Sequence, residues 1–248
     1  MKDRACIVTG GSRGIGLAVA RMLAQEGARV LRVARGAEGE DALALDVTRP
    51  DAAERVLAAC EERLGPPWAL VNGAGTTRAR PLEELPDEAW QEQWEVHVMA
   101  PMRLMRAVAP RMAESGGGRI VNVCSSSGKR PSSTLDAAYS VTKAAQLSLS
   151  RVFADTFAAR GVLVNAVAPG PVETPLWVGE GGLADEVARR QGTTRDEVLA
   201  STRGKAPVGR MGSEREVAAV VAFLCSEAAS YVAGAAWSVD GGTVASIV

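Results

Sequence analysis

The sequence predicts an α/β chain built on one parallel sheet with helices on both faces. Three observations lead there. Short β-rich runs alternate with longer helical stretches from one end to the other. Interior runs such as Ile120-Val-Asn-Val123 and Val162-Leu-Val-Asn-Ala-Val167 are almost continuously apolar, which suits strands covered on both faces rather than one. No composition break divides the 248 residues, and a chain 47% hydrophobic at this length can fill one large core.

The elements follow in order. A strand at 5–8 precedes a helix at 17–25; a strand at 29–33 precedes a third short strand and a helix at 52–63; a strand at 69–71 precedes a helix at 90–112. A strand at 119–123 then leads to a helix near 138–159, and a strand at 162–167 opens into an irregular stretch. A helix at 216–226 and a last strand at 236–239 close the series. Strands joined by helices of this length imply right-handed crossovers, hence a doubly wound Rossmann sheet in a single domain, residues 1–248. Residues 175–207 break the rhythm with Gly179-Glu-Gly-Gly182 and a capping pattern at Thr194-Arg-Asp-Glu197. This stretch is expected to be a flap over a site; the alternative is a helical insertion that only covers the core.

The turn Thr9-Gly-Gly-Ser-Arg-Gly-Ile-Gly16 joins the first strand to the first helix. Glycine backbone there can come close to a phosphate, and the helix start offers unpaired N–H groups and the positive end of its dipole. The turn therefore predicts a dinucleotide pocket contacted by Gly10, Ser12, Arg13, Gly14, Ile15 and Gly16, although such turns also occur for packing alone.

Composition narrows the remaining classes. A net charge of −1, with charges spread evenly, offers no basic stripe for nucleic acid. Cys6, Cys60, Cys124 and Cys225 are far apart and unpaired in sequence, so buried free thiols are expected and no metal site. No apolar run reaches membrane-spanning length, and the start runs straight into a strand, so a cytoplasmic protein without membrane association is expected.

Tyr139-Ser-Val-Thr-Lys143 sets a tyrosine and a lysine four apart on one helix face. Reduction of a carbonyl needs a proton on oxygen, and a phenol supplies it near neutral pH only if nearby positive charge brings its pKa down from about 10. Such a pair is ordinarily a surface pair; the turn Ser125-Ser-Ser-Gly128 at the end of the preceding strand changes that, since a serine there can hydrogen-bond the substrate oxygen. Ser125, Tyr139 and Lys143 are the candidate catalytic residues.

The strand-Ser…Tyr-x-x-x-Lys arrangement, together with the glycine turn, resembles the short-chain dehydrogenase/reductase family over essentially the whole chain. Asn72-Gly-Ala-Gly75 is similar to that family's Asn-Asn-Ala-Gly segment, with Gly73 in place of the second asparagine. Pro169-Gly170-Pro-Val172-Glu-Thr174 resembles the turn beside the nicotinamide, and Asp240-Gly-Gly242 the family's tail. The resemblance implies that Asn72, Gly73, Ala74, Pro169, Gly170, Val172 and Thr174, with Tyr139 and Lys143, contact the cofactor. Counting from the strand selects Ser125 as the serine, whereas counting back from Tyr139 selects Ser126; Ser125 is preferred because a strand end fixes side-chain direction. Where the family carries an active-site asparagine this chain has His97, its only histidine, which either keeps a proton relay or is merely satisfied within a helix.

After the second strand, Ala34 stands where an NAD site would have an acid. Arg35 and Arg13 can clasp a 2′-phosphate, so NADP(H) is the expected cofactor, with Asp46 and Val47 beside the adenine; solvated surface arginines are the alternative. The resemblance implies an enzyme interconverting a ketone and a secondary alcohol, close to the 3-oxoacyl-carrier-protein reductase branch, with a small-molecule or acyl-thioester substrate and a homotetrameric assembly. A pocket wall of Leu135, Leu176, Trp177 and part of residues 179–207 is expected. A nucleotide-sensing protein without catalysis and an NAD-dependent alcohol dehydrogenase are the competing readings.

Overall fold

A computed structural model describes residues 1–245. Seven strands, β1 Ala5–Thr9, β2 Arg29–Ala34, β3 Ala42–Ala44, β4 Pro67–Asn72, β5 Gly118–Val123, β6 Val162–Pro169 and β7 Ala236–Val239, form one sheet in the order β3-β2-β1-β4-β5-β6-β7. Every pairing is parallel. The order reverses between β1 and β4, and at that switch point the connections leave in opposite directions and open a crevice at the strands' C-terminal ends.

Alternation along the strands divides the interior into two cores. Ile7, Leu31, Leu70, Ile120 and Val164 point to the face covered by α2 (Ala52–Leu64), α4 (Ala100–Glu114) and α5 (Ala137–Phe157). Cys6, Val8, Val30, Val71 and Val121 point to the other, covered by α1 (Gly14–Gln25) and α9 (Glu214–Cys225). With both faces apolar, the strands read as the continuous hydrophobic runs that the sequence displays. All four cysteines are buried and free.

Several bounds differ from expectation. The first helix begins at Gly14, inside the glycine turn, so its first N–H groups belong to the motif itself. The long helix expected at 90–112 is α3 (Asp87–Trp94), a π-helical turn (Glu95–Met99) and α4 in succession; the widened turn falls on His97. Residues 175–207 fold into α6 (Pro175–Val178), α7 (Leu183–Gln191) and α8 (Arg195–Gly204). The capping box at Thr194 and Glu197 forms, and Val187, Val198, Leu199 and Met211 give this helical cap an apolar cluster of its own, against which Trp177 packs. Arg78 and the Ala79 N–H both bind Glu186, which ties the cap to the loop after β4.

Candidate active site

The crevice is shaped first by backbone. Gly10 has φ +71°, and a Cβ there would lie 2.6 Å from the Gly73 carbonyl oxygen. A Cβ on Gly16 would lie 2.3 Å from the Gly10 oxygen, so these two glycines are required by the close packing of the β1–α1 turn on itself and on the loop after β4. Gly14, at φ +60°, has room for a Cβ, whose nearest neighbours would stand 3.9 Å away, and needs glycine for its conformation alone. Thr9 staples the two loops: its hydroxyl accepts from the Gly73 and Ala74 N–H groups at 3.1 and 3.3 Å.

The residues expected to hold a dinucleotide come together along one wall. Gly10, Ser12, Arg13, Gly14, Ile15 and Gly16 line the crevice at the start of α1. Arg35, Asp46 and Val47 line it beyond β2, Gly73 and Ala74 beyond β4, and Pro169, Gly170, Val172 and Thr174 beyond β6. Asn72 does not: it is buried, and its amide donates to Asn122 Oδ1 at 2.7 Å within the sheet. Its side chain is thus engaged within the sheet, and its backbone leads directly into the lining residues Gly73 and Ala74. The Asp240 carboxylate accepts from the Gly242 and Val244 N–H groups, folding the tail so that Thr243 and Val244 close one rim.

The charges at the β2 end are sorted. Arg32 forms a two-pronged pair with Asp41 at 2.6 and 2.7 Å, and neither residue lines the crevice. Arg35 and Arg13 are exposed and have no ion-pair partner among the described residues. Asp46 accepts from the Thr48 N–H and hydroxyl through one oxygen, at 3.0 and 2.8 Å, and those bonds, more than the nearby Arg35, hold its pKa below the ordinary value. The turn role and a free second oxygen coexist. A helix N-terminus, a glycine backbone and two unpaired arginines fit the phosphates of NADP(H).

The other wall carries the titratable groups. Ser125 follows β5 by two residues with extended backbone; its oxygen accepts from the Ser127 N–H at 3.1 Å, and its hydroxyl lies near the Tyr139 phenol. Ser126 begins the next turn and also lines the crevice. Gly128 lets this turn lie on α5, since a Cβ would sit 2.8 Å from the Lys143 carbonyl carbon. Burial pushes the Tyr139 phenol above its usual value, with the neighbouring Ser125 hydroxyl opposing. Lys143 is 4% exposed, donates to the Val123 carbonyl and Gln146 Oε1 at 2.9 Å each, and lies 5.8 Å from the Tyr139 ring centre. Burial brings this ammonium down to about 8, so it stays largely charged at neutral pH.

His97 is wholly buried on the π-helical turn, edge-on to Tyr139 with ring centres 5.3 Å apart. Its Nε2 accepts from the Thr76 N–H at 3.3 Å, so Nδ1 carries the proton and donates to Thr142 Oγ1 at 3.1 Å. Thr142 in turn donates to the Ala138 carbonyl. Both nitrogens are thus satisfied by protein, and burial plus the Lys143 ammonium keep the ring neutral. The absent side chain of Gly75 makes room: a Cβ there would lie 3.0 Å from Nε2.

Leu135, Leu176 and Trp177 line the crevice with residues from α7 and α8, as the wall expected from sequence. Sequence reasoning missed a buried pair at the start of α5. Asp136, 0% exposed, accepts from the Arg80 N–H and from its guanidinium at 2.8 Å, three residues before Tyr139. An acid at a helix start reads as an ordinary cap, and its partner lies in a loop that no periodicity marks.

Comparison with known proteins agrees with this geometry. The sequence model of the family described as Enoyl-(Acyl carrier protein) reductase matches residues 10–244. The 3-oxoacyl-[acyl-carrier-protein] reductase FabG of Vibrio cholerae is 35% identical over 98% of this chain and 98% of its own. Cis-4-hydroxycyclohexanecarboxylate dehydrogenase of Sinomonas cyclohexanicum is 35% identical over 98% of this chain and 97% of its own. The crystal structure of L-sorbose reductase from Gluconobacter frateurii, complexed with NADPH and L-sorbose, superposes with a TM-score of 0.90 at 33% identity, covering 100% of this chain and 98% of that one. The chain belongs to the short-chain dehydrogenase/reductase family and is an oxidoreductase with its Rossmann fold.

Proposed function

We propose that this enzyme interconverts a ketone and a secondary alcohol with NADP(H), using Tyr139 as the proton donor and acceptor. The observation that carries the reading is the meeting of Ser125, Tyr139 and Lys143 at one end of a crevice whose other wall is the glycine turn with Arg13 and Arg35. Arg35 and Arg13 take the 2′-phosphate, the start of α1 takes the pyrophosphate, and Asp46 and Val47 flank the adenine. Pro169, Gly170, Val172 and Thr174 bound the nicotinamide end. When bound, NADPH supplies the hydride that reaches the carbonyl carbon.

The protein's own part is proton transfer and charge stabilisation. Tyr139 gives its phenolic proton to the carbonyl oxygen, while the neighbouring Ser125 hydroxyl orients the same oxygen. Burial alone would keep the phenol's proton in place, so the shift toward neutrality has to come from positive charge, of which Lys143 is the protein's contribution. His97 holds the edge of Tyr139 and the loop after β4; with both nitrogens engaged and the ring neutral, its side chain is a wedge rather than a relay.

The substrate class is a 3-oxoacyl thioester, by the FabG relatives' names, with the apolar portion against Leu135, Leu176 and Trp177. The sugar named for the L-sorbose reductase structure supports a second, more polar class, and the arginines and glutamates around the crevice mouth suit it. NADPH oxidation followed with a 3-oxoacyl thioester, a ketose and a cyclic ketone tests the reading. Turnover of a carbonyl with NADPH supports it; NADPH binding without turnover of any would favour a nucleotide sensor. The homotetramer is proposed from family resemblance alone, and sedimentation equilibrium tests it.

A further inference from the structure

The ammonium of Lys143 has three N–H donors, and the protein takes two of them. One goes to the Val123 carbonyl at the end of β5, the other to the side-chain oxygen of Gln146, one helical turn further along α5. No protein acceptor takes the remaining donor among the described residues, and Lys143 borders the crevice, where a Cβ on Gly75 would come within 3.7 Å of Nζ. Gln146 is 0% exposed and reaches neither the crevice lining nor Tyr139.

The amide is held one way round. Lys143 only donates, so only Oε1 can face it, and Nε2 is left buried without a partner. An apolar side chain of similar size would avoid that unpaired N–H, so packing gives no reason for glutamine here. The turn that carries it is fastened to the sheet as well. Ser150 Oγ donates to the Gln146 carbonyl at 2.8 Å and accepts from Asn122 Nδ2 at 2.8 Å, and Asn122 Oδ1 accepts from Asn72. A line of buried polar groups thus runs from β4 and β5 to the backbone of the residue whose side chain holds the ammonium.

We propose that Gln146 is a positioning residue of the reaction: with the Val123 carbonyl it fixes the Lys143 ammonium, keeps it charged in a buried place, and leaves its third donor aimed at the crevice. This rests on the Tyr139–Lys143 chemistry proposed above. The titratable groups facing Lys143 are Tyr139 on its own helix, His97 on the π-helical turn and Cys124 after β5. His97 is held neutral and burial pushes the Cys124 thiol up to about 12, so across the neutral range the ammonium is the one charge among them.

The test is Gln146→Met and Gln146→Leu, both close to glutamine in volume, in the alcohol-oxidation direction, where the rising pH limb of kcat/KM reports ionisation of the phenol. A displaced or neutral Lys143 stabilises phenolate less, so the midpoint should rise by about one pH unit and kcat/KM at neutral pH should fall about tenfold, with Tm unchanged or higher. In a Lys143→Met background the same substitutions should change the residual rate no further, because Gln146 acts only through the ammonium. An unshifted midpoint with a lowered Tm, or effects that multiply with Lys143→Met, would mark a packing role and overturn the inference. Should Lys143→Met alone keep full turnover, the underlying chemistry falls and the inference with it.

Discussion

Lys143 should cost the protein stability at neutral pH, and the size of that cost follows from its burial. The folded protein lowers its pKa from 10.5 to about 8, so between those values the unfolded chain holds a proton that the native state has released. Unfolding then takes up protons, and stability rises with pH through this window. The full penalty, present below about pH 8, is about 3 kcal/mol. Replacing Lys143 by Met removes the titration and leaves a constant offset from the two acceptors it abandons. The quantity to follow is therefore the difference in unfolding free energy between wild type and Lys143→Met. Urea unfolding monitored by tryptophan fluorescence should show wild type gaining about 2 kcal/mol on the variant between about pH 7.5 and about pH 9.5. A difference that stays flat over that range would mean that the ammonium is solvated or fully compensated, and the argument from burial would fail.

Three further outcomes follow from the site. Arg35→Ala should raise KM for NADPH roughly tenfold or more and leave KM for NADH within about twofold, since only the 2′-phosphate uses the guanidinium; equal effects on the two cofactors would dismiss the clasp. His97→Gln should flatten the acid side of the stability profile. The folded ring has a pKa well below 6.5, so wild type loses stability as pH falls below 6.5, where the unfolded histidine takes up a proton and the buried one does not; thermal unfolding from about pH 5 to about pH 8 reads this directly. The same depression means that the wild-type pH–rate profile should carry no histidine inflection near 6.5, and one that His97→Gln abolished would restore His97 to the proton relay.

Much of this was legible in the sequence because it is carried by local pattern. Doubly covered strands had to be apolar throughout, and Ile7 and Val8, pointing to opposite cores, show why. The glycine turn announced itself, although Gly10 and Gly16 turn out to be demanded by backbone packing against Gly73 and against each other as much as by any phosphate. The place of Ser125 beside Tyr139 could be anticipated from the strand end, since strand geometry fixes where that side chain leaves. What could not be read was long-range pairing between polar groups. Nothing local in Asn72 says that its amide turns inward to Asn122, or in Arg80 that it reaches Asp136 across 56 residues. The widening of the helix at His97 was equally hidden, because a π-helical turn has no composition of its own, and the two partners of its ring, Thr76 and Thr142, come from separate elements.

The measurement that bears most directly on the account is a paired one on Tyr139→Phe: NADPH affinity by fluorescence titration, and turnover of whichever carbonyl wild type reduces. Affinity within about threefold of wild type, with kcat lower by about a thousandfold or more, is the expected result, because only the proton-donating hydroxyl is removed. Turnover that survives the loss of the hydroxyl would put the acid elsewhere and contradict the assignment.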